Sequence, residues 1–132
     1  MKGKILVIED NERNLYLVTF ILEKNSYEVI QARDGLEGIG KAVQERPNLI
    51  LLDIQLPVMD GYEVARRMKS MPELKDIPIV ALTSYAMVGD REGILAAGCN
   101  GYIEKPINPD TFMAEVAEYL KASRFKSQTP SS

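Results

Sequence analysis

Two short runs of aliphatic residues, each closed by acidic residues, constrain the fold of this chain more than any other feature. The first run, Ile5–Ile8, is followed by Glu9 and Asp10, and the second, Leu49–Leu52, is followed by Asp53. Runs of four or five aliphatic residues between polar ones are typical of strands buried on both faces of a parallel sheet. The acidic residues should therefore lie at the carboxyl edge of the sheet, where open α/β sheets bind ligands.

The rest of the chain alternates strand patterns with helix patterns. Asn11 and Asp60 are good N-caps for the helices that follow the two acidic runs, and apolar residues recur at helical spacing behind each cap. This rhythm predicts five strand-then-helix units, hence a parallel sheet with right-handed crossovers and helices on both faces. The remaining strands are predicted over Tyr27–Ala32, over Ile77–Leu82 ending at Thr83, and over Asn100–Glu104 ending at Lys105.

Length, charge and composition exclude several classes of protein. The 132 residues fit one domain, and the net charge of −3 argues against a broad surface for binding nucleic acid or anionic membranes. The single cysteine, Cys99, cannot form an internal disulfide, and the absence of a signal peptide or membrane-spanning run predicts a cytoplasmic protein. No histidine is present, so any chemistry must use carboxylates, hydroxyls and lysine.

The predicted sheet edge gathers three carboxylates, those of Glu9, Asp10 and Asp53. At ~4 Å and an effective dielectric near 20, each pair would repel by roughly 4 kcal/mol, which requires a bound cation or raised pKa values. Mg²⁺ suits such an edge because it binds one or two carboxylates and completes its shell with water and phosphate oxygens. A carboxylate beside the ion can attack phosphorus while a lysine neutralises the transferring group. Asp53 is placed for attack and Lys105 for neutralisation.

Taken singly, each of these residues has an ordinary structural interpretation. Glu9 and Asp10 could cap the first helix, whose N-terminus favours negative charge. Thr83 could be a plain strand residue, Tyr102 a half-buried packing residue, and Lys105 a surface charge. Their joint placement at the ends of predicted strands favours a phosphorylation site.

The same residues resemble the receiver domain of two-component response regulators, over about Lys4 to Leu120. The resemblance is closest to stand-alone, single-domain receivers of the DivK-like kind. It implies a flavodoxin-like, doubly wound sheet of five parallel strands in the order 2-1-3-4-5, with five helices. The motifs that carry it are Ile8–Asn11, Leu52–Gly61, Ala81–Ser84, Gly101–Ile103 and Lys105-Pro106.

The resemblance also implies a role for each site residue. Asp53 would be the phosphoacceptor, and Lys105 would contact the phosphoryl group and form a cis peptide with Pro106. Thr83 would be the switch hydroxyl and Tyr102 the switch aromatic that turns inward behind it. The Mg²⁺ ligands would be Glu9, Asp10, Asp53 and the backbone carbonyl of Gln55, and Mn²⁺ is expected to substitute.

The implied partners are proteins. A sensor histidine kinase or a histidine phosphotransfer protein would donate the phosphoryl group, and no nucleic acid or membrane is expected. Output would be phosphorylation-dependent protein binding or onward phosphotransfer, through the face made by the fourth helix, the fifth strand and the last helix, in a monomer or weak dimer. The fourth helix, read over Tyr85–Ala97, carries Gly89 and Gly93 and is weak by composition, with Tyr85 and Met87 expected to be exposed for a partner.

The expected organisation is a receiver domain over 1–122 and a flexible polar tail over 123–132, with no effector domain and no conventional enzymatic turnover. Three alternatives remain open. A Mg²⁺-dependent aspartyl-phosphate phosphohydrolase of the haloacid dehalogenase kind needs a second aspartate two residues after the nucleophile, where this chain has Gln55. A flavodoxin-like cofactor binder needs a Ser/Thr-rich phosphate loop, whereas residues 9–12 are Glu-Asp-Asn-Glu. The chain could also be a receiver excised from a hybrid kinase.

Overall fold

The computed structural model describes residues 2–84 and 88–128. Strands and helices alternate along the chain in the order β1 (Gly3–Ile8), α1 (Glu12–Lys24), β2 (Tyr27–Ala32), α2 (Gly35–Glu45), β3 (Leu49–Asp53), α3 (Gly61–Lys69), β4 (Ile79–Thr83), α4 (Val88–Ala96), β5 (Gly101–Glu104) and α5 (Phe112–Gln128). All strand pairings are parallel, and the strand order is β2-β1-β3-β4-β5. The fold class predicted from the sequence is confirmed. Within the described residues, no helix combines the length and apolar character that a membrane span requires.

The first three helices begin at side-chain caps just beyond the carboxyl edge of the sheet. The side chains of Asn11, Asp34 and Asp60 each accept a hydrogen bond from the backbone N–H three residues later. Such caps satisfy N–H groups that a helix terminus leaves unpaired, and they fix where each helix starts. The loops between strand and helix are therefore short and held at both ends, as a site built on them requires.

The core has two layers because the central strands are apolar on both faces. Alternate residues of β1 and β3 point to opposite sides of the sheet, and each set packs against different helices. One layer joins Leu6, Ile8, Ile50 and Leu52 to apolar residues of α2, α3 and α4. The other joins Ile5, Val7, Leu49 and Leu51 to those of α1 and α5. This arrangement leaves the strand ends as the place where polar residues can collect.

Two predicted boundaries are corrected by the structure. The fourth strand begins at Ile79 rather than at Ile77, because Pro78 has no N–H to donate to a sheet ladder. The last helix continues to Gln128, so residues 123–128 of the expected flexible tail are helical. No glycine or proline occurs between Asp110 and Thr129 to stop the helix. Residues 129–132 lie outside the described residues.

The fourth helix is described over Val88–Ala96, and its two glycines differ in what surrounds them. The predicted contact residues Tyr85 and Met87 lie outside the described residues. A Cβ on Gly93 would lie 3.4 Å from the Tyr62 ring of α3, whereas a Cβ on Gly89 would meet nothing within 4 Å. Gly93 therefore faces the Tyr62 ring, where a Cβ would make ordinary van der Waals contact, whereas Gly89 faces open space.

The loop after β3 contains a strained residue that sequence patterns did not indicate. Val58 has a φ of 66° and a fully exposed side chain. The Met59 N–H donates to the Pro57 carbonyl at 2.7 Å and closes a three-residue turn around it. A β-branched residue at positive φ is a genuine outlier, and left-handed backbone costs an L-residue roughly 1–2 kcal/mol.

Replacing Val58 with asparagine is expected to stabilise the protein by about 1 kcal/mol, because asparagine tolerates positive φ better than a β-branched residue. Urea unfolding followed by circular dichroism would measure the change. Val58→Ala is the matched control, since it removes the exposed methyl groups but keeps a Cβ at positive φ. Equal stability of the asparagine variant and the parent would show that the turn is not strained.

Candidate functional site

Neighbouring strands bring the predicted carboxylates to one point. Asp53 is the last residue of β3, and Glu9 directly follows β1, which pairs with β3. The Glu9 N–H donates to the Ala32 carbonyl at 2.9 Å, so the backbone of Glu9 is still held to β2. One ligand oxygen from each of Glu9, Asp10 and Asp53 lies within 4.8 Å of the others. The cluster expected from the strand ends is therefore formed, with Glu9 and Asp53 buried and Asp10 exposed.

A close approach of two backbone segments fixes the end of β3. The N–H of Gly61, the first residue of α3, donates to the Ile54 carbonyl at 2.9 Å. A Cβ at Gly61 would lie 2.6 Å from the Asp53 carbonyl oxygen and from the Ile54 Cα. Only glycine fits there, because backbone atoms cannot move aside for a side chain. Gly61 thus allows the start of α3 to lie directly against the end of β3, beside Asp53.

Lys105 lies between two of the carboxylates. Its Nζ is 3.2 Å from Glu9 Oε1 and 3.0 Å from Asp53 Oδ1, and its side chain is only 11% exposed. The Lys105 N–H donates to the Thr83 carbonyl at 2.8 Å, which extends the pairing of β4 with β5. The Lys105–Pro106 peptide bond is cis, in agreement with the resemblance. Lys105 is therefore a largely enclosed cation that partly neutralises the cluster.

The electrostatics of the cluster raise the pKa of two groups. Burial and the neighbouring Asp53 raise the pKa of Glu9 to about 7, against the opposing charge of Lys105. Burial alone lowers the pKa of Lys105, but its hydrogen bond to Asp53 and the charges of Glu9 and Asp53 outweigh this effect, and its pKa is raised. One lysine therefore does not balance the buried acidic groups, and Glu9 holds a proton more readily than an exposed glutamate does.

The raised pKa of Glu9 predicts that the Mg²⁺-free protein loses stability as the pH rises. A glutamate with the ordinary pKa of 4.5 in the unfolded chain titrates near 7 in the fold, which therefore favours the protonated form. The resulting stabilisation is fully present below pH 4.5 and is lost as the pH rises through 7. We expect the free energy of unfolding to fall over this range by on the order of 2 to 3 kcal/mol.

Glu9→Gln should remove most of this pH dependence, because glutamine stays neutral. Urea unfolding in EDTA at a series of pH values would measure it, with Glu28→Gln on the exposed face of β2 as the control. The same pH slope in the Glu9 variant and the parent would contradict the prediction. The residue to replace is thus the buried Glu9 rather than the exposed Asp10.

An open cleft of about 500 Å³ lies over the carboxylates. The backbone N–H of Gln55 lies at its rim and donates to Asp53 Oδ1 at 3.0 Å. The cleft lining includes Asp10, Asp53, Gln55 and Lys105, all predicted from the sequence. It also includes Asn11, Glu12, Asn14 and Ser84, which were not predicted as site residues. Asn11 and Ser84 adjoin predicted site residues and belong to the motifs Ile8–Asn11 and Ala81–Ser84, which were the sequence signals for them.

The two predicted switch residues, Thr83 and Tyr102, are not among the residues that line the cleft. Thr83 is buried at the end of β4, where it pairs in register with Glu104 of β5. Tyr102 is half-buried, its ring lies under the Arg91 guanidinium at 5.5 Å, and its carbonyl accepts a hydrogen bond from the Tyr119 hydroxyl. Thr83 ends β4 and Tyr102 lies in β5, and their switch roles stay predictions; the contacts of Tyr102 with α4 and α5 were not predicted.

The donor set fits a hard divalent cation. Glu9 Oε1 is a buried oxygen that accepts no hydrogen bond within the described structure, although it lies at ion-pair distance from Lys105. A buried oxygen without a hydrogen bond is costly unless another group compensates it. The clustered side-chain donors are all carboxylate oxygens, the ligand type that Mg²⁺ prefers. The cluster therefore has the ligand chemistry of a magnesium site and a buried carboxylate oxygen that accepts no hydrogen bond.

Comparison with known proteins assigns the family. The sequence pattern of the response regulator receiver domain matches residues 5–117. The chain belongs to this family. As a receiver domain it also resembles the polar-differentiation response regulator DivK of Brucella anthropi, with 43% identity over 120 residues that cover 91% of this chain and 98% of that protein. DivK of Brucella ovis is 42% identical over the same shares of the two chains.

Solved receiver structures share the fold. The chemotaxis protein CheY4 of Vibrio cholerae superposes with a TM-score of 0.86 at 29% identity, covering 90% of this chain and 99% of that one. The receiver domain of the sensor histidine kinase PA1611 of Pseudomonas aeruginosa superposes with a TM-score of 0.84 at 33% identity, covering 92% and 99%. The latter structure has a magnesium ion coordinated in its active site cleft. Receiver domains are phosphoacceptor signalling modules, and this family assignment confirms the resemblance seen in the sequence.

Proposed function

We propose that Asp53 accepts a phosphoryl group from a phosphohistidine on a partner kinase or phosphotransfer protein. The observation that carries the proposal is a buried carboxylate at a strand end, open to the cleft and flanked by two further carboxylates and a largely enclosed lysine. An Asp53 oxygen forms a bond to phosphorus as the bond from phosphorus to the donor imidazole nitrogen breaks, and the imidazole keeps the electron pair. The product is an aspartyl phosphate, which fits the receiver family.

The contacts of Asp53 support different tasks for its two oxygens. Oδ1 accepts hydrogen bonds from Lys105 Nζ and from the Gln55 N–H, both at 3.0 Å. These donors fix the carboxylate plane, and Oδ2 is the oxygen that attacks. After transfer, Lys105 remains within reach to neutralise charge on the phosphoryl group, as preorganised cations do in phosphoryl transfer.

Mg²⁺ would be held by Glu9, Asp10, Asp53 and the backbone carbonyl of Gln55. When bound, the ion would neutralise developing charge on the phosphoryl oxygens. The unsatisfied Glu9 oxygen and the clustered carboxylates support this assignment. The magnesium ion in the related PA1611 receiver supports it as well. Mn²⁺, which also prefers oxygen ligands, should substitute.

A phosphorylated chain would signal through the face formed by α4, β5 and α5. Thr83 follows the phosphoryl group from the end of β4, and Tyr102 of β5 responds behind it. The packing of Tyr102 against Arg91 of α4 and Tyr119 of α5 supports this route, because it links all three elements through one residue. Output is phosphorylation-dependent protein binding or onward phosphotransfer.

Stoichiometric labelling tests the proposed acceptor function. The protein is incubated with acetyl phosphate and Mg²⁺, and intact mass is measured over time, with EDTA as the control. One added phosphoryl group per chain, only with Mg²⁺, is expected. Many turnovers of phosphate release per minute without an accumulated adduct would indicate a phosphohydrolase instead, for which the exposed Gln55 supplies no second acid.

Thr83→Ala should uncouple phosphorylation from the response of the output face. The hydroxyl is the group proposed to follow the phosphate, so labelling of Asp53 should persist while the change in hydrogen exchange over residues 88–103 decreases by at least half. Hydrogen exchange with and without acetyl phosphate measures this, and Thr19→Ala on α1, outside the output face, is the control. An undiminished change in the Thr83 variant would place the switch elsewhere.

A further inference from the structure

A second cleft, of about 500 Å³, lies between β5 and α5 and is separate in its lining from the carboxylate cluster. We call it the β5–α5 groove. Its walls carry two carboxylates and two phenol rings, and its described lining contains no cationic side chain. The lining residues are Tyr102, Glu104, Asn108, Thr111, Glu115 and Tyr119.

The groove depends on a glycine in β5. A Cβ at Gly101 would overlap the Tyr119 ring, so the ring can lie against the strand only because residue 101 is glycine. The Tyr119 hydroxyl donates to the Tyr102 carbonyl at 3.3 Å and holds the ring in that position. The Tyr119 ring is therefore held against the backbone of β5, and this wall of the groove is preorganised.

The groove has the chemistry that recognises a guanidinium group. Glu104 and Glu115 are exposed and place negative charge on opposite walls, one on β5 and the other on α5. Aromatic faces attract cations, and arginine does so more often than lysine because its planar group also stacks. The Tyr102 ring already carries such a contact, since the Arg91 guanidinium lies 5.5 Å from its centroid.

We propose that the β5–α5 groove receives an arginine side chain of the partner protein that binds the output face. This inference rests on the proposed function, which it deepens by naming the chemistry of the partner. Because Tyr102 is both a wall of the groove and the proposed switch aromatic, its inward rotation would change the groove at the same time as Asp53 is phosphorylated. The affinity of the groove for the partner's arginine would then depend on whether Asp53 is phosphorylated.

A peptide titration tests the proposal. The probe is acetyl-Gly-Arg-Gly-amide, added to ¹⁵N-labelled full-length protein while amide shifts are followed by NMR. The matched peptide has citrulline in place of arginine, which keeps the shape and removes the charge. We expect saturable shifts at Tyr102, Glu104 and Tyr119 with the arginine peptide, and at least about fivefold weaker binding of the citrulline peptide.

A double variant locates the site. Glu104→Gln with Glu115→Gln should weaken arginine binding by about fivefold or more, as the loss of two attractive charges predicts. Glu92→Gln with Glu118→Gln removes the same charge from exposed positions outside the groove lining and should leave binding unchanged. Equal weakening by both double variants, or equal binding of the two peptides, would overturn the proposal.

Labelling of Asp53 by acetyl phosphate is measured on the same samples. Normal labelling without groove-specific arginine binding would overturn the proposed arginine site and leave the proposed acceptor function standing. Absent labelling in the parent overturns the proposed acceptor function, whatever the titration shows.

Discussion

Replacing Asp53 with asparagine is expected to abolish phosphoryl labelling by acetyl phosphate. The amide nitrogen and oxygen keep the shape of the side chain, but no carboxylate remains to attack phosphorus. The parent should acquire one phosphoryl group per chain in Mg²⁺, and the variant none. Intact mass spectrometry measures the adduct, and peptide mapping after borohydride reduction of the acyl phosphate locates it.

Asp60→Asn is the matched control for this experiment. Asp60 lies seven residues further along the same loop region and caps α3 by accepting a hydrogen bond from the Glu63 N–H at 3.0 Å. Asparagine caps helices about as well as aspartate, so this variant should fold and be labelled like the parent. Labelling of the Asp53 variant at the level of the control would refute Asp53 as the acceptor.

Replacing Lys105 with methionine is expected to destabilise the Mg²⁺-free protein by about 3 to 5 kcal/mol, the usual cost of removing one partner from a buried ion pair. Lys105 is the cation that contacts both Glu9 and Asp53, whose side chains are 0% and 3% exposed. Methionine keeps the aliphatic length but leaves both carboxylates without this charge. Urea unfolding in EDTA at pH 7.5 measures the loss.

Added Mg²⁺ should restore part of the lost stability, because a ligand that binds only the folded state stabilises it by mass action. Lys4→Met is the control: its ion pair with Glu45 has a similar distance of 3.1 Å, but the side chains are 34% and 33% exposed. An ion pair so accessible to water contributes about 1 kcal/mol or less. A Lys105 variant no less stable than the Lys4 variant would show that Lys105 does not hold the cluster together.

The elements that could be predicted from the sequence are those specified by local patterns. Doubly buried strands have long apolar runs, and Asn11 and Asp60 cap helices through contacts three residues away. Because parallel strands end at a common edge, the strand ends place Glu9 and Asp53 on the same edge of the sheet. The strand order came only from the family resemblance, since periodicity does not say which strands are neighbours.

The features that could not be predicted depend on contacts distant in the chain or on individual dihedral angles. Nothing near Gly101 indicates that Tyr119 will lie on it, eighteen residues later. Nothing in the sequence around Val58 signals a left-handed residue, because valine is among the residues least suited to one. The balance of charge at Lys105 also required the structure, since a lone lysine in a sequence is usually a surface charge.

The two apolar faces of the central strands have a consequence for alignment. In a half-buried sheet, sliding a strand by one residue would expose its apolar side chains, and this penalty fixes the register. Ile5–Ile8 and Leu49–Leu52 carry no such penalty, because both of their faces are apolar. Their alignment must come from the polar residues at either end, Asn48 against Lys4 and Asp53 against Glu9 and Lys105. The acidic residues that would carry the chemistry thus also help to fix the register of β1 and β3. A substitution at these residues would then disturb the alignment of the sheet as well as the site.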